Sequence, residues 1–275
     1  MRVGWIFPGQ GAEEPGMGLA FPAAPRLLER ASAETGVDVR RALERGGRAL
    51  RRTEVLQPTL VAVAWACAEA LREAGVPRHA SAGHSLGALT AAAWSAGLPA
   101  DEAIALAAER GRRMAEHAGG GMLALRAGAA EVAAALPEGL TVAAENAPDE
   151  TVVSGPKDAL RAFATSAPWP SRPLDVSGAW HSPAMAPAVA PIRAALRRAF
   201  GPGVADALAE DVVRPVRFVS TLEGLARDGV TDLVLVAPGR VARGLARRTL
   251  GARVRLHLVS DPAAARAVDV GGRDP

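Results

Sequence analysis

The chain has no tyrosine, one cysteine and one lysine, and its few rings amount to 4% of 275 residues. With so little aromatic volume, alanine, valine and leucine must fill the interior. At 49% hydrophobic the chain can bury a full core, which argues against wholesale disorder. Cys67 stands alone, so an internal disulfide is excluded. It lies in the apolar run 59–71 and reads as a small buried hydrophobe in a reducing cytosol. Lys157 is the only lysine, so arginine carries nearly all the positive charge, a pattern we read as base-composition bias. The formal net charge is only +3, with arginines scattered among acids, so no nucleic-acid partner is expected. One local group, Arg240, Arg243, Arg247 and Arg248, reads either as a solvated helix face or as a landing surface for an acidic partner. No apolar segment reaches the ~18–20 residues that span a bilayer; the longest are 59–71 and 86–98. Val3-Gly4-Trp5-Ile6-Phe7 is too short for the apolar core of a signal peptide. No C-x-x-C spacing marks a zinc site. A cytoplasmic protein without membrane contact or metal is the expectation.

What is present begins with Gly83-His84-Ser85-Leu86-Gly87, a G-x-S-x-G sequence that sets a serine on a sharp strand-to-helix turn. Side chains at the two glycines would clash across so tight a turn. A serine at a helix N-terminus lies where free N–H groups and the helix dipole stabilise negative charge, the setting of a nucleophile whose attack makes an oxyanion. Around it we read strands at 3–7 and 79–83. Helices are read at 59–75 after Pro58, at 86–97, and at 101–118 with Asp101 as N-cap. Residues 23–50 read as polar helix broken at Gly36 and Gly46-Gly47. This order is that of an α/β protein with a parallel sheet. After Gly119-Gly120-Gly121 the texture changes. Strand 122–126, helix 129–136, strands 140–146 and 151–154, helix 157–166 and strand 172–177 make a β-α-β-β-α-β unit, the ferredoxin-like split βαβ. The expected organisation is a large α/β subdomain, hydrolase-like, over 1–118 and 185–275, with a small ferredoxin-like subdomain over 119–184. A helix over 183–200, a strand over 230–236, a turn at Pro238-Gly239, a helix over 241–250 and a loose tail of about seven residues complete it.

Ser85 needs a base. Of the five histidines, His181 is the best placed, on the loop Trp180-His181-Ser182-Pro183 before a helix. His84 adjoins the serine, but its side chain should point away from it. An ordinary packing role stays open for each histidine.

Taken together, the motifs resemble the malonyl-CoA:acyl-carrier-protein transacylases and the acyltransferase domains of fatty-acid and polyketide synthases. The likeness rests on Phe7-Pro8-Gly9-Gln10-Gly11, Gln57-Pro58, the Ser85 pentapeptide, Arg110-Gly111 with Met114, and Asn146-Ala147-Pro148. It continues through Val176-Ser177-Gly178-Ala179-Trp180-His181-Ser182-Pro183 and Arg214-Pro215-Val216-Arg217-Phe218. It implies that Ser85 is the nucleophile and His181 the base, with the backbone N–H groups of Gln10 and Leu86 as the oxyanion hole. Arg110 would clamp the free carboxylate of the malonyl group, a task that suits a planar guanidinium. Trp180, Met114 and Asn146 would line the substrate pocket. Trp180 stands where malonyl-selective members usually carry phenylalanine, so α-branched units such as methylmalonyl should be disfavoured. The implied partners are malonyl-CoA and an acyl carrier protein bearing phosphopantetheine. No resident cofactor and a monomeric chain are expected.

The chain departs from the family pattern at Ala88, where a glutamate commonly follows the serine motif, and in a short stretch between Phe200 and Arg214. By alignment Asp211 falls on the group that orients the histidine, where a glutamine is usual. Its carboxylate either holds the imidazole, as in a Ser-His-Asp triad, or is a surface acid. Three other readings stand beside the transacylase: the acyltransferase subunit of a malonate decarboxylase, an α/β-hydrolase, and a catalytically weakened carrier-protein-binding subunit.

Overall fold

A computed structural model describes residues 2–45 and 48–271. The break read at Gly46-Gly47 lies outside the described residues. The chain runs through β1 (Arg2–Phe7), α1 (Ala24–Thr35), α2 (Val39–Arg45), α3 (Thr53–Glu73), β2 (Ala80–Gly83), α4 (Leu86–Ser95) and α5 (Ala100–Glu116). Next come β3 (Gly121–Leu125), α6 (Ala129–Ala135), β4 (Thr141–Ala147), β5 (Glu150–Gly155), α7 (Lys157–Ser166) and β6 (Ser171–Pro173). The remainder is α8 (Ala186–Leu196), α9 (Pro202–Glu210), β7 (Val216–Arg217), α10 (Phe218–Arg227), β8 (Val230–Leu235), α11 (Arg240–Leu250), β9 (Arg255–Leu258) and α12 (Pro262–Arg266). Contacts divide the chain into two compact units. One holds Met1–Leu50, Val55–Ala108 and Thr221–Pro275; the other holds Arg51–Glu54 and Glu109–Ser220.

The first unit is built on a four-stranded sheet in the order β2-β1-β8-β9, with every neighbouring pair parallel. β1 and β8 lie in its middle, and this position explains their sequence. Strands covered on both faces read as continuous apolar runs rather than alternating ones, and Val3, Trp5, Ile6 and Phe7 are all buried. Three of the scarce aromatics gather here. Trp94 of α4 meets Trp65 of α3 edge-on at 4.9 Å and Trp5 of β1 at 6.1 Å. α3 starts six residues before the expected position and carries Pro58 inside it. The missing N–H removes one helical bond, but Val55, Leu56 and Leu60 are all buried and keep the first turns helical. At 21 residues α3 is long and apolar enough to cross a membrane by length and composition, contrary to the sequence reading. Its most apolar stretch is 83% buried within the protein, as a core helix would be. Cys67 lies in that helix, fully buried, and its sulfur accepts the Ala237 N–H at 3.3 Å. Burial pushes the thiol up to about 12. α5 begins at Ala100, so Asp101 sits inside the first turn rather than capping it; a carboxylate there still complements the helix dipole. On α11 Arg240, Arg243 and Arg247 are exposed while Ala242, Leu245, Ala246 and Leu250 are buried, and Arg240 pairs with Glu14 at 3.3 Å. That is a solvated helix face. Val270, read as part of a loose tail, is buried.

The second unit holds a five-stranded sheet in the order β6-β3-β5-β4-β7. β6, β3, β5 and β4 are antiparallel to their neighbours, in the order of a split βαβ unit, and β7 adds a parallel strand beside β4. Leu123 and Leu125 of β3, Val153 of β5, Val132 of α6, and Leu160 and Phe163 of α7 share one core cluster. Lys157, the first residue of α7, is exposed. This unit is wider than the 119–184 read from sequence, because α8, α9 and β7 cluster with it. The stretch 200–214, read as trimmed, folds into α9 and a 3-10 turn at Asp211–Val213. Gly201 leads into Pro202 in the first helical turn, where the lost N–H has no helical acceptor to satisfy.

Candidate active site

The surroundings of Ser85 lie in the first unit. β1 and β2 run parallel with Phe7 opposite Gly83, so the segments after both strands leave the same carboxyl edge of the sheet. Open α/β sheets place ligands at that edge. β2 leads straight into Ser85, and α4 starts at Leu86. Ser85 has φ 51° and ψ −111°, a conformation that non-glycine residues avoid and that concentrates at functional sites. The turn is held open by glycine contacts. A Cβ on Gly83 would lie 2.1 Å from the Gly87 carbonyl carbon, and one on Gly87 would lie 2.2 Å from the Phe7 oxygen. A Cβ on Gly9 would lie 2.3 Å from the His84 oxygen. The segment after β1 and the serine turn therefore touch backbone to backbone. Gln10 is carried on that segment, and its Oε1 accepts from Gln57 Nε2 at 3.2 Å. Gln57 is fully buried in α3 and was not singled out as a site residue, although a polar side chain in so apolar a helix is a legible signal. The Gly87 and Ala88 N–H groups donate to the His84 and Ser85 carbonyls at 2.9 and 2.8 Å. Leu86, the first helical residue, has no helical carbonyl four residues back to receive its own N–H.

The second unit carries the other group of residues. Arg110 of α5 is only 3% exposed, and its Nη2 lies 3.6 Å from Asp211 Oδ2. Burial pushes its pKa down and the charge of Asp211 opposes that; a guanidinium stays charged regardless. The adjacent Gly111 is needed for packing, since a Cβ there would lie 2.8 Å from both Glu54 Cα and the Thr53 oxygen. Met114, one turn further along α5, is buried. His181 is buried at φ 58°, a second non-glycine residue in the left-handed region. Its Nδ1 lies 2.7 Å from the Asp211 carbonyl oxygen and 3.1 Å from that of Arg214. Carbonyls only accept, so Nδ1 carries the proton and Nε2 keeps its lone pair. Burial holds His181 below the ordinary imidazole range; the Asp211 charge pulls it back up, and Arg110 pushes it down again. The flanking loop is pinned on both sides. Ser154 Oγ donates to the Trp180 carbonyl at 2.5 Å, and Ser182 Oγ to that of Ala179 at 2.6 Å. Trp180 is buried, with its Nε1 lacking a hydrogen-bond partner. Asn146 of β4 is half-buried and donates to Glu150 Oε1 at 3.0 Å.

The reading of Asp211 as a carboxylate that holds the imidazole needs correction. Its main-chain carbonyl takes that role, with that of Arg214, and its carboxylate turns to Arg110. Main-chain oxygens leave no mark in a sequence, so this division was not legible there.

A parallel α/β sheet that delivers a serine through a glycine-built elbow, on a chain that also holds a buried histidine in its Nδ1–H tautomer, is the pattern of the serine-nucleophile acyl-transfer class. The chain belongs to the acyl transferase domain family, whose model matches residues 4–210. It is 29% identical to the malonyl CoA-acyl carrier protein transacylase of Synechocystis sp., over 90% of this chain and 94% of that one. It is 33% identical to a phenolphthiocerol synthesis type I polyketide synthase of Mycobacterium bovis over 98% of this chain, but spans only 14% of that protein. Among solved structures, the Synechocystis malonyl-CoA:ACP transacylase superposes with a TM-score of 0.89 at 27% identity, covering 98% of this chain and 100% of that one. A malonyl-transacylase solved in complex with its type II polyketide synthase acyl-carrier protein gives 0.88 at 26% identity, covering 96% and 98%. The expected α/β fold with a parallel sheet and a second subdomain is that of these transacylases.

Proposed function

We propose that the chain is an acyltransferase that moves a malonyl group from malonyl-CoA to the phosphopantetheine thiol of an acyl carrier protein. One observation carries the malonyl reading: the buried Arg110 sits in the same unit as His181, whose Nδ1 faces two carbonyl oxygens, so that the basic lone pair lies on Nε2. Ser85 Oγ attacks the thioester carbonyl while His181 takes its proton. The C–S bond breaks, and the CoA thiolate leaves with that proton. The carrier's thiol then attacks the malonyl-serine ester, giving its proton through His181 back to Ser85 Oγ. This is a two-step, ping-pong transfer. It needs no cofactor beyond the CoA thioester and the carrier's pantetheine. The N–H groups of Gln10 and Leu86 would receive the oxyanion, and each such donor contributes about 2.7–4 kcal/mol in comparable sites. Arg110 would pair with the malonyl carboxylate, while Trp180, Met114 and Asn146 shape the pocket. The hydrolase, malonate decarboxylase and binding-subunit readings are not favoured by the transacylase relatives.

Intact-mass measurement after incubation with a panel of acyl-CoAs tests the proposal. The wild-type chain should gain one malonyl mass, and Ser85→Ala none. Arg110→Ala should lose malonyl preference over acetyl by at least about tenfold. A malonyl adduct that persists in Ser85→Ala overturns the mechanism.

A further inference from the structure

Arg110 already has a carboxylate beside it. Asp211 Oδ2 stands 3.6 Å from Arg110 Nη2, and the guanidinium is 3% exposed against 25% for the aspartate side chain. The main chain that carries that carboxylate is held in place. The carbonyl of the same residue is 2.7 Å from His181 Nδ1, and Asp211 opens a 3-10 turn directly after α9. That helix end is itself tied down, because Glu210 pairs with both Arg193 and Arg214. The Asp211 main chain, and with it the root of the side chain, cannot move far from Arg110 without disturbing the hydrogen bond that sets the imidazole's tautomer.

We propose that Asp211 is a specificity-determining residue: its carboxylate competes with the substrate's carboxylate for Arg110 and so narrows the preference for malonyl over uncharged acyl groups. The inference rests on the reading of Arg110 as the carboxylate clamp. Arg110 and Asp211 together carry no net charge. A malonyl carboxylate arriving at Arg110 brings the group to −1 around a buried guanidinium, where an uncompensated charge is costly. An acetyl group brings no charge and is spared that cost. The substrate's carboxylate must share the guanidinium or push Asp211 aside, and either weakens the bidentate pair on which discrimination depends. One residue thereby couples selection to catalysis, with its carboxylate on the clamp and its carbonyl on the base.

The test is equilibrium binding, which does not depend on turnover. Malonyl-CoA and acetyl-CoA are titrated calorimetrically at pH 7 into the full chain carrying Ser85→Ala. The same is done for that chain with Asp211→Asn or Asp211→Gln, two neutral replacements of different length. The ratio of acetyl-CoA Kd to malonyl-CoA Kd should rise by about tenfold in both. Adding Arg110→Ala should abolish the rise. A ratio that stays level or falls in both variants overturns the proposal, as does a rise that survives Arg110→Ala, or no binding of malonyl-CoA by any of the proteins. Failure of the acyltransferase reading would show separately, as the absence of any acyl adduct on the protein with Ser85 intact.

Discussion

The tautomer of His181 follows from two carbonyl oxygens, and its basicity follows from what surrounds it. Burial disfavours the imidazolium, and the positive charge of Arg110 disfavours it further, while Asp211 favours it. The net pKa lies below the ordinary 6.5, so the ring is neutral and ready to accept a proton at pH 7. The acid limb of the serine-acylation rate should therefore fall below pH 6.5, read from the pH dependence of single-turnover acylation. In Asp211→Asn the group that raises the pKa is gone, so that limb should move to still lower pH; a move upward would contradict this account. His181→Ala should slow acylation by about 10²–10⁴-fold. The residues proposed to carry the chemistry, Ser85, His181 and Arg110, were candidates from sequence because each stands in a motif. The strained φ of His181 and the two carbonyls that hold its ring were not legible there. They belong to backbone geometry that a chain of side-chain letters does not encode.

At the scale of elements, the serine turn depends on three backbone approaches that only glycine permits. Gly87→Ala would place a methyl group 2.2 Å from the Phe7 oxygen, at the end of a fully buried central strand. The contact is with backbone, so no side chain can give way. This substitution should cost at least about 3 kcal/mol in urea unfolding and should shift the Gln10 segment enough to depress acylation. Unchanged stability would mean that the turn is looser than described. Strand and helix positions near these glycines were legible because β1 and β8 are short apolar runs bounded by Pro-Gly. The start of α3 was not, because Pro58 reads as a helix opener. Burial of Val55 and Leu56 on the preceding turns outweighs that local preference. α9 escaped for the opposite reason: it is short, and its buried residues are small alanines that give little periodic signal.

At the scale of the whole molecule, acid stability has an identifiable source. Asp232 of β8 is fully buried and bound by Arg255 Nε at 2.8 Å, His257 Nε2 at 2.8 Å and Thr231 Oγ1 at 2.8 Å. Burial by itself would raise its pKa, but these hydrogen bonds outweigh burial and hold the carboxyl below its ordinary value. An aspartate with a lowered folded pKa stabilises the protein above its unfolded pKa, and that contribution is lost as pH falls through the folded value. Asp232→Asn should thus cost about 3 kcal/mol at neutral pH, and the variant should show a shallower loss of stability below about pH 4. Urea titrations at several pH values would show it, and parallel curves for the two proteins would refute it. The two-part architecture was legible from the change of texture after Gly119-Gly120-Gly121, since the β-α-β-β-α-β order is written in local patterns. The extent of the second unit was not, because β7 is two residues long and joins the sheet through a non-local pairing with β4.

The exposed Lys157 at the head of α7 gives the chain a practical property. It is the only side-chain amine, and the only thiol, Cys67, is buried and protonated to about 12. Amine-directed dyes or cross-linkers will therefore mark the second unit at one known side chain, with no competing lysine to remove. A cysteine introduced on the surface of the first unit would take a maleimide without interference from Cys67. Two spectroscopic reporters can thus be installed on separate units of a nearly native protein through orthogonal chemistries.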